Sequence, residues 1–174
     1  MTRQHGFTFL EMTLVVIFVM VLYVVAMDRL MPLRGDAEAA AAATIVGASR
    51  SALGLEVAAR ILDAGPDSVV ALEGTNPMRL LTEVPDNYLG EVSGVDPANL
   101  PDGHWYFDLG SRELVYLVRF GQYFRTELPG PPRLAFRVEL VYNERDQLAG
   151  VRLARVNAFV WTRSADMTEL LGNR

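Results

Sequence analysis

The chain has 174 residues, 16 Lys+Arg against 21 Asp+Glu, no cysteine, and 51% hydrophobic residues, for a formal charge of −5. That length accommodates one domain of ordinary size with a small appendage. The absence of cysteine excludes a disulfide scaffold, a thiolate metal site and a cysteine nucleophile, and the acidic balance argues against a general nucleic-acid binder. The basic side chains are all arginine.

Residues 1–6, MTRQHG, are polar and carry one firm positive charge, Arg3. Residues 7–27, FTFLEMTLVVIFVMVLYVVAM, are apolar apart from Glu11 and a few small or polar groups. As a helix this run measures roughly 31 Å, the thickness of a bilayer's hydrocarbon core, and it has no polar face to offer water. It reads as a membrane span. A cleaved secretory signal would have a shorter apolar region followed by a small-residue cleavage site; here Asp28, Arg29 and Leu30 follow. A plain signal anchor would satisfy the positive-inside rule. It would explain neither a carboxylate inside the span, which is costly unless functional or paired, nor the glycine directly before it.

Gly6 to Glu11, GFTFLE, resembles the processing motif of type IV pilins and type II secretion pseudopilins. Members have a short basic leader ending in glycine, then Phe or Met, then Thr, with Glu at the fifth mature position. The match covers the leader and the first helix. The resemblance implies that a prepilin peptidase cuts between Gly6 and Phe7 on the cytoplasmic side and methylates the new Phe7 amine. It also implies that Glu11 of one subunit neutralises the Phe7 amine of a neighbour during assembly, since an isolated buried charge costs several kcal/mol that pairing largely recovers. The competing reading is that Glu11, about 6 Å along the helix from Phe7, snorkels to the membrane interface.

The helical pattern continues beyond the span. Pro32 and Gly35 loosen it, and then comes the alanine-rich DAEAAAAATIVGASRSALGLEVAARILDAG. Ile45, Ala48, Ala52, Leu55, Ala59 and Leu62 recur at helical spacing and predict the face that meets a sheet. Gly65-Pro66 is a strong stop. One helix from Phe7 to about Ala64 would span roughly 85 Å. Residues 66–103 read as irregular: Ser68 is placed as the cap of a short turn, Asn76-Pro77 as a helix start, and VPDNYLGEV and VDPANLPDG as loops. NPMRLL…PDNYLGE also resembles, less specifically, a segment of certain minor pilins and pseudopilins. From His104 the period becomes two. HWYFDL and ELVYLVRF flank a hairpin at Gly110-Ser111-Arg112; RLAFRVELVY and QLAGVRLARVNAFVW flank another at residues 143–146. Leu134, Phe136, Val138 and Leu140 should face the core, as should Val151, Leu153 and Val156, with a bulge near Ala154. The fold class expected is α+β: a long N-terminal helix packed on an antiparallel meander of about four strands, one face on the helix. The tail from Thr162 is polar and weakly patterned.

Few side chains suggest chemistry. His104 is the only histidine beyond the leader and reads as an ordinary edge residue. No nucleophile elbow, HExxH or P-loop occurs in the sequence. Asp86, Glu91, Asp96, Asp102 and Asp108 are oxygen ligands of the kind calcium prefers. Their spacing fits no template, and the calcium loop of some major pseudopilins is nearer the C-terminus, so no metal or cofactor is assigned. Trp105, Tyr106, Phe107, Tyr116, Phe120, Tyr123 and Phe124 read as core rather than as an exposed platform. Arg119, Arg125, Arg133 and Arg137 could form a strip for DNA, but Glu127 and Glu139 intersperse it.

The organisation read from the sequence is a leader (1–6), a transmembrane helix (7–27), its amphipathic continuation (28–64) and a pilin-like head (65–174). The resemblance implies a non-catalytic structural subunit, a minor pilin or pseudopilin, lodged in the inner membrane by a single pass with its head in the periplasm. Its partners would be prepilin peptidase, other pilin or pseudopilin subunits and an inner-membrane assembly platform. The missing cysteine argues against an adhesive major pilin, whose C-terminal loop is often closed by a disulfide. The alternatives are a signal-anchored periplasmic enzyme or binding protein, which would keep its leader and show an acid–base constellation, and a DNA-uptake pilin, which needs an exposed basic strip.

Overall fold

The computed structural model describes residues 8–162. Its backbone is organised by one helix, α1 (Phe9–Ala64), of 56 residues, about 84 Å at the standard rise. Thr8 is its N-cap, its Oγ1 accepting the Glu11 N–H at 3.3 Å. The helix passes through Pro32 without a break and stops at Gly65, which turns to φ 85° while its N–H still bonds Ile61 O. Alanine, leucine and arginine favour the helix throughout. Its N-terminal part is long and apolar enough to cross a membrane, and the side chains from Phe9 to Val25 are exposed along it.

The remaining described residues form a head with seven strands: β1 (Tyr88–Val92), β2 (Trp105–Asp108), β3 (Glu113–Leu117), β4 (Phe124–Thr126), β5 (Arg133–Tyr142), β6 (Leu148–Arg155) and β7 (Phe159–Trp161). A five-stranded sheet has the order β1-β2-β3-β5-β6, and β4 and β7 form a separate ribbon. All pairings are antiparallel except β1 with β2. Among the described residues two 3-10 turns, Pro66–Leu72 and Pro77–Leu80, lead from α1 to β1, and two more, Pro97–Asn99 and Gly121–Tyr123, lie between β1 and β2 and between β3 and β4. The fold is thus α+β, a long helix on a mostly antiparallel sheet, and the four expected strands are its adjacent members β2, β3, β5 and β6, to which β1 adds a fifth at the edge beside β2.

Four sequence expectations need correction. The segment around Tyr88, read as a loop, is β1; its glycine and partly buried side chains gave no alternation. Ser68 is not a cap: it lies inside the turn that follows Gly65, and its hydroxyl donates to Arg60 O and Gly65 O. The fourth strand does not bulge at Ala154. It ends at Arg155, and the chain crosses to the ribbon as β7, so Val156 is exposed; the irregular register falls at Val141/Tyr142. Most instructively, the helix face is rotated. Ala42, Val46, Ser49 and Leu53 are buried, while Leu55 and Leu62 of the expected stripe are 74% and 85% exposed. The two stripes lie one residue, or about 100°, apart. In an alanine-rich helix both count as apolar, and the buried one is broken by Ser49.

The core lies between that face and the sheet. Trp105, Leu114, Tyr116, Leu134, Phe136, Val138 and Leu153 meet α1, with Val69, Leu72 and Met78 of the 3-10 turns closing one end. The inward alternation of Leu134, Phe136 and Val138 follows the expected period of two. A smaller cluster, Tyr106, Val115, Leu117 and Ala135, lies on the other face of the sheet beneath Val92 and Leu100.

Candidate functional site

The residues singled out for processing and assembly lie at the start of the chain. Gly6 and Phe7 are outside the described residues. Glu11 is in the first turn of α1 with an exposed side chain. Thr8 and Glu11 have capping-box spacing, and a carboxylate there faces the positive end of the helix dipole. The spacing thus offers Glu11 a local role beside the one the motif implies, although the bond present is that of its backbone N–H to Thr8 Oγ1. From Phe9 to Arg34 the described side chains are exposed, with Met27 alone half-buried among them, and burial in the head begins at Gly35.

The junction between arm and head is built from two contacts. Gly35 lies flat against the Tyr123 ring: a Cβ on it would sit 2.8 Å from Tyr123 Cβ and 2.9 Å from Cγ and Cδ2. One turn on, Glu38 is buried, 8% exposed. Its Oε1 accepts the Tyr116 hydroxyl at 2.9 Å and the Arg119 N–H at 2.6 Å; its Oε2 accepts the Phe120 N–H at 2.9 Å. These two backbone donors follow β3, where the chain turns out of the sheet and has no strand partner for them. The carboxylate supplies what the sheet does not. Burial, and secondarily the Glu38 bond, push the Tyr116 phenol well above its usual range, so it stays a donor. The sequence hid this latch, because a glutamate in DAEAAAA reads as solvent-facing.

At the other end of the helix Arg60 pairs with Glu56 at 2.7 Å. Asn76 caps its 3-10 turn as expected, Oδ1 accepting the Met78 N–H, while Nδ2 donates to Tyr88 Oη and Glu91 Oε1. That amide donation, with help from Arg79 at 2.7 Å, holds the Glu91 carboxyl below its usual range.

The other candidates are dispersed. The His104 ring Nδ1 is 3.0 Å from Asp102 O, a backbone neighbour. Asp96 and Asp108 cap local turns, accepting from Ala98 N–H and Gly110 N–H. Among the described residues no three His, Asp or Glu side chains converge on a metal position. Trp105, Tyr106, Phe107, Tyr116, Tyr123 and Phe124 are buried, Trp105 and Tyr116 with ring centroids 4.8 Å apart. The four arginines are divided: Arg137 pairs with Glu113, Arg133 donates to Pro129 O and Pro131 O, and Arg119 and Arg125 are exposed.

Among the described residues the arrangement is an exposed apolar arm continuous, through one unbroken helix, with a head that is seated on that helix from Gly35 onward. Comparison with known protein families, with curated proteins and with solved structures finds no match.

Proposed function

We propose that this chain is a non-catalytic structural subunit of a type IV pilus or type II secretion pseudopilus, a minor pilin or pseudopilin anchored in the inner membrane with its head in the periplasm. Residues 1–6 are its leader, removed by prepilin peptidase between Gly6 and Phe7, and Phe7 is the methylated residue. The observation that carries this reading is the unequal division of one uninterrupted helix. Among the described residues its first half is apolar and exposed; its second half is seated on the sheet. An element so apolar needs a bilayer or other copies of itself to cover it. The GFTFLE motif supplies the route by which such an arm leaves the membrane for a filament.

In this reading Glu11 accepts the Phe7 amine of a neighbouring subunit. Two substitutions separate that role from helix capping. Glutamine serves a capping box as well as glutamate does but carries no charge. With pairing, Glu11→Gln and Glu11→Leu both strand a buried cation, at a cost of about 3–5 kcal/mol. Both then fail to co-purify with filaments, while leader cleavage and membrane insertion persist. Normal incorporation of Glu11→Gln would reject pairing and leave Glu11 as a capping residue.

A further inference from the structure

A cleft of about 400 Å³ opens where the arm enters the head, lined by Arg34, Glu38, Asn87, Gly103, Arg119 and Phe120, among others. We infer that this cleft binds the phosphate of an anionic phospholipid headgroup, held between Arg34 and Arg119. The inference rests on the reading of the arm as a membrane span.

Three observations carry it. The first is charge. Two arginines and one glutamate line the cleft, leaving one net positive charge. The glutamate is buried and its oxygens already accept three donors. Arg34 and Arg119, by contrast, are exposed residues, and among the described residues neither has a carboxylate within ion-pair distance. The second is shape. Gly103 is buried at φ 77°, its N–H bonded to Leu117 O, and a Cβ there would lie 2.7 Å from Arg119 Nε. The missing side chain lets the Arg119 guanidinium lie along the cleft wall, where its donors meet no acceptor among the described residues. Arginine suits such a site because its fork matches phosphate oxygens in pairs. The third is height. Arg34 follows Met27, the last residue of the apolar run, by about 10 Å along the helix. The headgroup layer is about 5–8 Å deep on each side, so a downward-reaching arginine meets lipid phosphates there. Free phosphate offers the same chemistry, and the experiment separates the two sources.

The test uses the full chain in dodecyl maltoside micelles, with bound lipid counted by native mass spectrometry. Dioleoyl phosphatidylglycerol is titrated against dioleoyl phosphatidylcholine, with inorganic phosphate and glycerol 3-phosphate as soluble competitors. The expected result is one retained phosphatidylglycerol, preferred over phosphatidylcholine. Arg34→Gln and Arg119→Gln should each weaken it about fivefold, the effect of one arginine at a charged membrane surface. Arg29→Gln, also at headgroup level but about 140° around the helix from Arg34, should change it by less than about twofold. Equal loss in Arg29→Gln would mean diffuse attraction and overturn the site. So would retention that ignores headgroup charge or both cleft variants. Displacement by millimolar inorganic phosphate would overturn the lipid assignment. Flotation of the same chain with phosphatidylcholine vesicles tests the span separately. A chain that floats without headgroup selectivity removes only the site; one that does not float removes the span and the site with it.

Discussion

Replacing Glu38 should uncouple arm from head, and the structure sets the size of the effect. Glu38→Ala removes the acceptor of three hydrogen bonds, of 2.6, 2.9 and 2.9 Å. It strands the Arg119 and Phe120 N–H groups and the Tyr116 hydroxyl. Each stranded donor costs about 1–3 kcal/mol when dry. The adjoining cleft admits water to part of the site, which places the expected total near the lower end, about 3 kcal/mol. Glu38→Gln keeps one oxygen but sets an amide N–H against a backbone donor, so about half that loss follows. Tyr116→Phe removes a single donor and leaves the carboxylate with two others, for about 1 kcal/mol. Because Glu38 and Tyr116 share a bond, the double variant should fall short of the sum by about 1 kcal/mol. The assay is urea unfolding of the full chain in nonionic micelles, followed by the fluorescence of Trp105, which is buried against Tyr116. An unchanged slope with a lowered midpoint reports a true stability change. A Glu38→Ala protein within about 0.5 kcal/mol of wild type, the scale of an ordinary surface substitution, would refute the latch.

The rotated helix face makes its own prediction: Leu53→Ala should cost about 2–5 kcal/mol as a core truncation, whereas Leu62→Ala should stay within about 0.5 kcal/mol. The same urea titration checks both, and a reversed order would restore the stripe through Leu55 and Leu62. Deleting residues 1–33 should give a soluble, monomeric head, since Gly35 is the first buried position of the described helix and the described side chains before it are exposed, with Met27 alone half-buried among them; size-exclusion chromatography and a cooperative melt would show it. Aggregation or a non-cooperative transition would move the boundary toward the C-terminus.

The elements with strong local signals were legible in the sequence. The helix stop at Gly65-Pro66, the Asn76-Pro77 turn and the two hairpins follow from caps, fixed φ and a period of two. What was not legible depends on tertiary partners. Alanine is a helix former on every side, so periodicity along residues 42–62 could not choose between two faces. The choice fell to the stripe that presents Val46 and Leu53 to the sheet and lets Arg50 reach Leu153 O. β1 escaped notice because it pairs in parallel with β2 across an intervening turn, and its sequence has a glycine where a strand signal would need a side chain. The Glu38 latch is invisible for a related reason: its donors come from residues about eighty positions away. At the N-terminus the balance is the opposite. The motif around Gly6 and Phe7 is a sequence signal, and the role proposed for it lies in an encounter with other proteins.

The most direct test of the proposed function is therefore the identity of the first residue. In cells with an active prepilin peptidase, intact-mass and peptide mass spectrometry of the membrane-extracted protein should find a chain beginning at Phe7 and carrying one added methyl group. Gly6→Val should abolish both changes, because a branched side chain cannot occupy a site shaped for glycine. A wild-type chain that keeps residues 1–6 in such cells would contradict the assignment to the pilin and pseudopilin family.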